Sequence, residues 1–209
     1  MDFELTEEQK RFKKDVMEFL DREVTDEVIA ESNAGMGLGP HSWELMQKLG
    51  SKGWLAPSFP KKFGGLGLSR IYRCMIQEEL NYRNALVVIP GLGLVGIDMA
   101  GPVLLRYASE EMKNEFLPGI ARGQIEFALG YSEPEAGSDL SQIAIRAVER
   151  EDEFVISGQK TFNTGCHFAQ YHWLAARTDT DAPVHKGISM FIVDLKTPGI
   201  TINPLWEMS

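Results

Sequence analysis

Hydrophobic residues in the first 125 positions recur with the spacing of amphipathic helices. The segment from Thr6 to Gln9 fits a capping box, in which two side chains satisfy free backbone N–H groups. Apolar residues then fall at i, i+4, i+7 and i+8, on one face of a helix: Phe12, Val16, Phe19 and Leu20. The pattern predicts an amphipathic first helix.

Further helices are predicted along the same half of the chain. Residues 43–49 and 71–80 also carry apolar side chains at helical spacing. Between them, residues 57–67 are rich in proline and glycine and predict a turn-rich loop. A last helix should begin after Ser109, a good N-cap residue, and end near Pro118, because proline interrupts helices.

The pattern changes near Phe127, where short alternating or β-branched runs replace helical spacing. Four runs have the composition of strands: 143–148, 154–157, 172–176 and 188–193. Glu151 and Asp152 separate the first two runs as a hairpin turn would, and residues 199–206 have the composition of one more strand. The second half is therefore predicted to be an antiparallel β unit.

The change of pattern favours two small domains within the 209 residues. They are a helical domain over residues 1–125 and a β domain over residues 126–209, which together make an α+β fold. A composition of 44% apolar and 24% charged residues is ordinary for a globular protein with a packed core.

Charge excludes some classes of partner. The formal net charge is -9 and there is no basic block, which argues against nucleic acid or an anionic membrane surface as a partner. The chain begins without a charged-then-apolar leader, and no apolar run approaches the roughly 20 residues of a membrane span. We expect a cytoplasmic protein.

Residues that could bind metal or transfer protons are present without the spacing that either role needs. Two cysteines, Cys74 and Cys166, give neither a disulfide framework nor a metal motif. No metal site is expected from the histidines either, and solvated or core positions suit them better: His167, His172 and His185.

Two acid pairs receive structural interpretations. Glu78 and Glu79 lie in a predicted helix and are expected on its solvated face. Glu133 and Asp139 lie in a turn, where capping and salt-bridge roles suit them better than proton transfer.

The segment from Gly130 to Leu140 marks the change from helical to strand-like sequence. Pro134 prevents a helix from continuing through it. Gly137, Ser138 and the following aspartate form a turn whose backbone N–H groups and hydroxyl could hold an anion such as a phosphate. A plain turn between domains is the other interpretation, and these residues alone do not decide between the two.

A dinucleotide-binding motif is present but is rejected. Residues 91–96 match GxGxxG and follow the apolar run 86–89. Pro90 stands at the junction, however, and no alternation of strand and helix follows. Small residues that let two helices pack closely explain the motif better.

Three segments together resemble the acyl-CoA dehydrogenase family of flavoproteins. Residues 109–118 resemble the family's final N-terminal helix, and residues 131–139 (YSEPEAGSD) resemble its flavin-binding signature. Residues 156–164 (ISGQKTFNT) are similar to its second flavin-contacting strand and turn. The segments occur in the family's order, and the resemblance covers essentially the whole chain.

The resemblance implies a helical N-terminal domain and a β-barrel-like middle domain. In the family, FAD is held where the middle domain meets a C-terminal four-helix domain, which this chain is expected to lack. The middle domain is then incomplete, and the catalytic glutamate of the family lies beyond these residues. No residue of this chain is assigned as the catalytic base, and the chain alone is expected to bind FAD weakly or not at all.

The resemblance also implies a role for each residue of the cofactor site. Leu129, Tyr131 and Ser132 would border the isoalloxazine, with the Ser132 hydroxyl at its pyrimidine end. Gly137 and Ser138 would serve the pyrophosphate, and Ser138 the neighbouring acyl-CoA chain.

The remaining two positions lie in the second motif. Phe162 would pack near the ring, although an aromatic residue in a β domain is more often part of the core. Thr164 would offer its hydroxyl to the side that accepts the hydride. The sequence departs from the family pattern at Tyr131, Ser132, Phe162 and Asn163. Residues 130–134 (GYSEP) together with residues 185–187 (HKG) resemble the branch that handles bulky or unusual acyl groups.

The implied activity is the FAD-dependent α,β-dehydrogenation of an acyl-CoA thioester, as in fatty acid β-oxidation. Electrons would pass to an electron-transferring flavoprotein, and a homo-oligomer or hetero-oligomer is expected. One alternative is an acyl-CoA oxidase or flavin monooxygenase on the same scaffold. The other is a non-catalytic, truncated subunit that serves assembly.

Overall fold

The computed structural model describes residues 4–35, 39–85 and 93–205 of the chain. It divides into two compact units, Met1–Ile125 and Glu126–Ser209. The first unit is helical and the second is built on a β-sheet. The α+β fold class is confirmed.

Six α-helices and two short helices form the described part of the first unit. The α-helices are α1 (Glu7–Glu23), α2 (Asp26–Gly35), α3 (Pro40–Ser51), α4 (Arg70–Tyr82), α5 (Gly101–Tyr107) and α6 (Glu110–Ala121). The short helices are a 3₁₀ turn, Lys61–Phe63, and a π-helix, Leu94–Ala100.

The capping box before α1 is confirmed in both directions. The backbone N–H of Gln9 donates to the Thr6 hydroxyl over 3.2 Å, and the Thr6 N–H donates to Gln9 Oε1 over 2.9 Å. Val16, Phe19 and Leu20 are buried, as the spacing predicts.

The helical core contains a group of aromatic rings beside α1. Phe12 meets Trp54 and Tyr72 edge to face, with ring centroids 5.5 and 4.9 Å apart. The buried aliphatic residues of α3 and α4 extend this core: Leu45, Met46, Leu49, Met75, Ile76 and Leu80.

One acid of α4 corrects the sequence interpretation. Glu78 is exposed, but Glu79 is 6% exposed, so the expectation that both face solvent is wrong. The Glu79 carboxylate pairs with Arg83 at 2.7 Å and with Lys13 at 3.3 Å. A buried carboxylate is retained because cations compensate for its lost hydration.

One helix and one helix boundary differ from prediction. Helix α2 was not predicted, because its apolar residues do not form a distinct stripe along one face. Helix α6 continues past Pro118 to Ala121 and ends before Gly123, whose φ is +67°. Pro118 lacks the N–H that would donate to the preceding turn, so it removes one helical hydrogen bond without ending the helix. Glycine in the left-handed conformation follows the helix end.

The rejected dinucleotide motif lies partly outside the described residues. Positions 86–92, which include the apolar run and the first glycine, are among those not described. The rest of the motif begins with Gly93, at φ +81°, and enters the π-helix that runs into α5.

Five strands form the sheet in the described part of the second unit: β1 (Phe127–Gly130), β2 (Arg146–Arg150), β3 (Glu153–Ser157), β4 (Tyr171–Arg177) and β5 (Ile188–Asp194). Strands β2 and β3 form the predicted hairpin, and β4 pairs antiparallel with β5 along its whole length. The other edge of β4 pairs with β1 and, at Arg177, with the first residue of β2. Apolar residues of β2, of β4 and of the position just before β2 pack in one core cluster: Ile145, Ala147, Leu174 and Ala176.

The sheet is mixed, which differs from the wholly antiparallel arrangement predicted. Strands β1 and β4 run parallel, because the chain between them, residues 131–170, is long enough to act as a crossover. The described strands do not close into a barrel.

The predicted strand at residues 199–206 is wrong over its described part. Residues 199–205 form a turn and an extended segment that pairs with no strand among the described residues, while Trp206 lies outside them. Gly199 has a φ of +98°, and the Ile200 N–H donates to the Thr197 carbonyl in a turn. Strand composition alone does not form a strand without a partner that accepts its hydrogen bonds.

Candidate functional site

The segment from Tyr131 to Gln142, named the signature loop here, leaves the sheet at the end of β1. It begins with a tight turn in which Glu133 and Ala136 exchange backbone hydrogen bonds of 2.8 and 3.2 Å. Pro134 and Glu135 occupy the exposed tip of this turn. Beyond it, a 3₁₀ turn, Leu140–Gln142, leads toward β2.

Asp139 organises the second half of the signature loop. Its carboxylate accepts from the Ser141 N–H at 3.0 Å, the Ser141 hydroxyl at 2.7 Å and the Gln142 amide at 3.1 Å. These bonds lower the pKa of Asp139, the Ser141 hydroxyl contributing first. The predicted capping role of this residue is confirmed.

Glu133 and Lys160 form a buried ion pair beneath the loop. Their charged atoms lie 2.8 Å apart, and both side chains are less than one-tenth exposed, at 7% and 4%. The carboxylate also accepts from the backbone N–H groups of Ala144 at 2.7 Å and Ile145 at 3.2 Å. Lys160 donates a further bond of 3.0 Å to the Tyr131 carbonyl. The predicted salt-bridge role of Glu133 is confirmed.

The environment keeps this pair charged. Burial acts to raise the pKa of Glu133, but the hydrogen bonds from Lys160, Ala144 and Ile145 outweigh it and leave the pKa lowered. Burial lowers the pKa of Lys160, and the attraction of Glu133 opposes that shift. A carboxylate with these three partners is a structural anchor and is not available as a general base.

A second turn, residues 161–166, lies against the start of the signature loop. The Thr161 N–H donates to the Ser132 carbonyl over 3.0 Å, which brings the two predicted cofactor-binding segments together. The Thr164 N–H donates to the Phe162 carbonyl at 3.1 Å and tightens the turn. This turn is called the Thr161 turn below.

Phe162 does not belong to the core. Its side chain is 68% exposed and its φ is +55°, in the left-handed region that costs a non-glycine residue energy. An exposed aromatic residue held in an unfavourable backbone conformation is typical of a binding surface. Phe162 is therefore not part of the core formed by the residues that the structure describes.

Leu129 and Gly130 connect the loop to a buried histidine. His172 of β4 is 7% exposed, and its hydrogen bond is to the Leu129 backbone. Burial and the nearby Lys160 charge lower the pKa of His172 to about 4, although the Leu129 bond opposes the shift. The His172 ring occupies the space beside Gly130, where a β-carbon would lie 2.5 Å from Cε1 and Nε2.

The remaining predicted residues lie at the exposed surface of the loop. Gly137 and Ser138 are exposed, and a β-carbon at Gly137 would have no atom of the described residues within 4 Å. No hydrogen bond joins either residue to Phe162 or Thr164 in the described part of the chain. The structure therefore joins Tyr131 and Ser132 to the Thr161 turn, while the glycine and serine lie further along the loop.

Sequence analysis missed two residues that hold this region together. Lys160 lies in the motif of residues 156–164, but the sequence assigned no role to it or to Arg177. Neither residue has a local sequence signal, because both act through partners that are distant along the chain.

Two family models match almost the whole chain. The model of the acyl-CoA dehydrogenase N-terminal domain covers residues 6–124, and the model of the middle domain covers residues 128–209. The chain belongs to the acyl-CoA dehydrogenase family. The resemblance carried by the three sequence motifs is thereby confirmed.

Individual acyl-CoA dehydrogenases align along nearly the full chain. The acyl-CoA dehydrogenase FadE29 of Mycobacterium tuberculosis is 38% identical over 205 residues, which make up 98% of this chain and 51% of that protein. The chain thus spans about half the length of the relative it matches.

Solved structures also match the fold of this chain. The Tcur3481-Tcur3483 steroid ACAD matches with a TM-score of 0.86 at 37% identity, over 98% of this chain and 52% of that one. The ChsE4-ChsE5 complex from Mycobacterium tuberculosis matches with a TM-score of 0.86 at 31% identity, over 100% of this chain and 52% of that one.

None of the helices within residues 4–35, 39–85 and 93–205 has both the length and the apolar content of a membrane span.

Proposed function

We propose that the full-length protein is an FAD-dependent acyl-CoA dehydrogenase that introduces a trans double bond between Cα and Cβ of a thioester. The observation that carries the proposal is the paired arrangement of the signature loop and the Thr161 turn. Backbone and ion-pair contacts hold the two segments together at Ser132, Glu133 and Lys160.

The side chains of these segments fit a flavin. The hydroxyls of Ser132, Ser138 and Thr164 have no hydrogen-bond partner among the residues that the structure describes, and all three residues are at least partly exposed. They can therefore bond to the carbonyl, nitrogen and phosphate groups of a ligand. The exposed Phe162 ring and the open space at Gly137 suit a planar group and a phosphate that approaches the backbone.

Each predicted residue then has a role in binding. Leu129 and Tyr131 border the ring system, and Ser132 donates a hydrogen bond to its pyrimidine end. Gly137 and Ser138 hold the pyrophosphate, and Ser138 also borders the acyl-CoA. Phe162 excludes water from the ring and Thr164 bonds beside it.

Bound FAD would supply the hydride acceptor for the reaction. This chain provides orientation, hydrogen bonds and the exclusion of water, and we assign none of its residues as the base that removes the α-proton. Glu133 is unsuited to that role because its carboxylate is occupied by Lys160 and two backbone N–H groups.

We infer that the substrate is the CoA thioester of a bulky, ring-containing acid, and not a straight-chain fatty acid. A solved relative at 37% identity is a steroid ACAD. Two of the solved relatives pair two different proteins, which supports a hetero-oligomer for this protein as well. We propose an electron-transferring flavoprotein as electron acceptor by family resemblance alone.

Visible spectroscopy of the purified full-length protein tests the proposal. A yellow chromophore should be present, and anaerobic titration with steroid side-chain CoA thioesters should bleach it more readily than titration with straight-chain acyl-CoA. The absence of a chromophore would contradict the cofactor assignment, and a chromophore that no thioester bleaches would contradict the activity. Rapid reoxidation of the bleached enzyme by dioxygen in stopped flow would identify an oxidase instead.

A further inference from the structure

The side chain of Arg177, the last residue of β4, bridges two loops through backbone carbonyl groups. Its Nη2 donates to the carbonyls of Ser141 at 2.8 Å, Ile143 at 3.3 Å and Val184 at 3.2 Å. Nη1 donates to the Lys186 carbonyl at 3.1 Å, and Nε donates to Ile143 at 3.3 Å. One guanidinium thus joins the end of the signature loop to the loop of residues 178–187.

Hydrogen bonds within the signature loop link the Arg177 contact at Ser141 to the exposed turn at Ser138. Ser141, whose carbonyl is bound by Arg177, donates both its N–H and its hydroxyl to Asp139. Asp139 directly follows Ser138. The position of the carbonyl that Arg177 binds is therefore coupled to the backbone of Ser138 through one residue.

The other end of the same turn is also fixed. Ala136 is buried and exchanges backbone hydrogen bonds with Glu133, whose carboxylate pairs with Lys160. Gly137 and Ser138 are thus a two-residue exposed span between two fixed ends. Arg177 binds the Ser141 carbonyl near the Asp139 end, and it also binds the Ile143 carbonyl, whose peptide N–H, that of Ala144, donates to Glu133 at the other end.

The 178–187 loop gives Arg177 a firm second attachment. The N–H groups of Thr178 and Asp179 donate to the Gly187 carbonyl at 2.9 and 3.1 Å, and the Asp179 carboxylate accepts from the N–H groups of Asp181 and Ala182. These hydrogen bonds lie within the loop, and the bonds from the guanidinium are additional to them.

We propose that Arg177 is a positioning residue that sets the Gly137 and Ser138 turn for the pyrophosphate of the cofactor and couples it to the 178–187 loop. The assignment of a pyrophosphate to this turn rests on the proposed function. Arginine suits the role because its planar fork presents five N–H donors in fixed directions, whereas lysine is a point charge on a flexible stem. A lysine at this position cannot reach both loops at once.

Hydrogen–deuterium exchange tests the coupling without any cofactor. In the full-length protein, Arg177→Ala should raise exchange about tenfold both in residues 137–143 and in the 178–187 loop, because both lose the same anchor. Arg150→Ala removes an exposed arginine from the same sheet and should change neither segment. Unchanged exchange in residues 137–143 would overturn the proposal, and Arg177→Gln serves the same test where the alanine variant does not fold.

Cofactor binding tests the positioning role. Arg177→Ala should raise the dissociation constant for FAD about tenfold, and Arg177→Lys should restore little of the loss. Guanidinium at millimolar concentration should recover binding in Arg177→Ala, while sodium chloride at equal ionic strength should not. Unchanged FAD affinity in the alanine variant, or equal recovery with either salt, would overturn the role. A wild-type protein that binds no FAD would refute the proposed function and leave the exchange result to decide the coupling.

Discussion

At the scale of single residues, the candidate site depends on charges that are buried and fully paired. Lys160 and Glu133 neutralise each other beneath the signature loop, and backbone N–H groups occupy the rest of the carboxylate. Such a pair adds little net stability over an apolar pair, but the loss of one partner leaves an uncompensated charge in the interior. The pair therefore fixes the loop geometry more than it stabilises the fold.

Glu133→Gln should lower the free energy of unfolding by about 3–5 kcal/mol, because Lys160 would keep its charge without its partner. Urea denaturation at neutral pH measures the change. Glu135→Gln alters an exposed acid two positions away and should change stability by less than about 0.5 kcal/mol. The double variant Glu133→Gln with Lys160→Met should recover part of the loss. Equal stability of the two single glutamine variants would refute the importance of the pair.

His172 should make the stability of the β unit depend on pH. Its folded pKa of about 4 lies below the ordinary 6.5, so the unfolded chain takes up a proton that the folded chain does not. The contribution of His172 to the free energy of unfolding should be fully present above pH 6.5. It should be lost as the pH is lowered from 6.5 to 4, by about 3 kcal/mol in total. His172→Phe should remove this part of the slope.

The slope is measured by chemical denaturation across that pH range. His185→Gln, at an exposed position, is the matched control and should retain the wild-type slope. A slope that survives in His172→Phe would assign the pH dependence to other groups.

At the scale of elements, sequence periodicity predicted the helices and strands that have a distinct pattern. The Thr6 capping box, the buried face of α1 and the β2–β3 hairpin all formed as predicted. Helix α2 was missed because its burial is set by neighbouring helices and not by its own amphipathic stripe. Residues 199–205 have strand composition, but pairing is a tertiary property that composition does not encode.

The parallel pairing of β1 with β4 creates a close approach that only glycine allows. Gly130→Ala would place a β-carbon 2.5 Å from the His172 ring and should destabilise the protein by about 1–3 kcal/mol. Gly137→Ala, where no atom of the described residues lies within 4 Å, should change stability little. Thermal denaturation compares the two variants.

A double-mutant cycle identifies the cause of the Gly130 effect. The double variant Gly130→Ala with His172→Ala lacks the imidazole ring. Its loss of stability should therefore be smaller than the sum of the two single-variant losses by more than about 0.5 kcal/mol. Additive losses would show that the glycine is needed for another reason.

At the scale of the whole molecule, the sequence predicts some parts of the candidate site, and the structure is needed to find the others. The motifs identified the family and the segments that carry Ser132 and Thr164, because those segments are local in sequence. The structure was needed for Lys160, which lies 27 positions from Glu133, and for Arg177, 36 positions from Ser141. Long-range partners of this kind depend on strand order, which a single sequence does not specify.

The extent of the chain leads to a last prediction. Residues 1–209 match about half of each relative named above, and family resemblance places the second wall of the flavin site in a C-terminal helical domain. In the proposed site, one wall would offer hydroxyls and an aromatic face but would leave most of a bound flavin in water. Residues 1–209 alone should therefore bind FAD roughly a hundredfold more weakly than the full-length protein, a difference of about 2.7 kcal/mol.

Quenching of flavin fluorescence, titrated against both proteins, measures this difference. Because the residual affinity of residues 1–209 would come from the wall described here, Phe162→Ala and Thr164→Val should reduce it further. Glu135→Gln, at the exposed tip of the signature loop, is the control and should leave it unchanged. Equal affinity of the short and full-length proteins would mean that the two described units hold the flavin by themselves and would contradict a second wall.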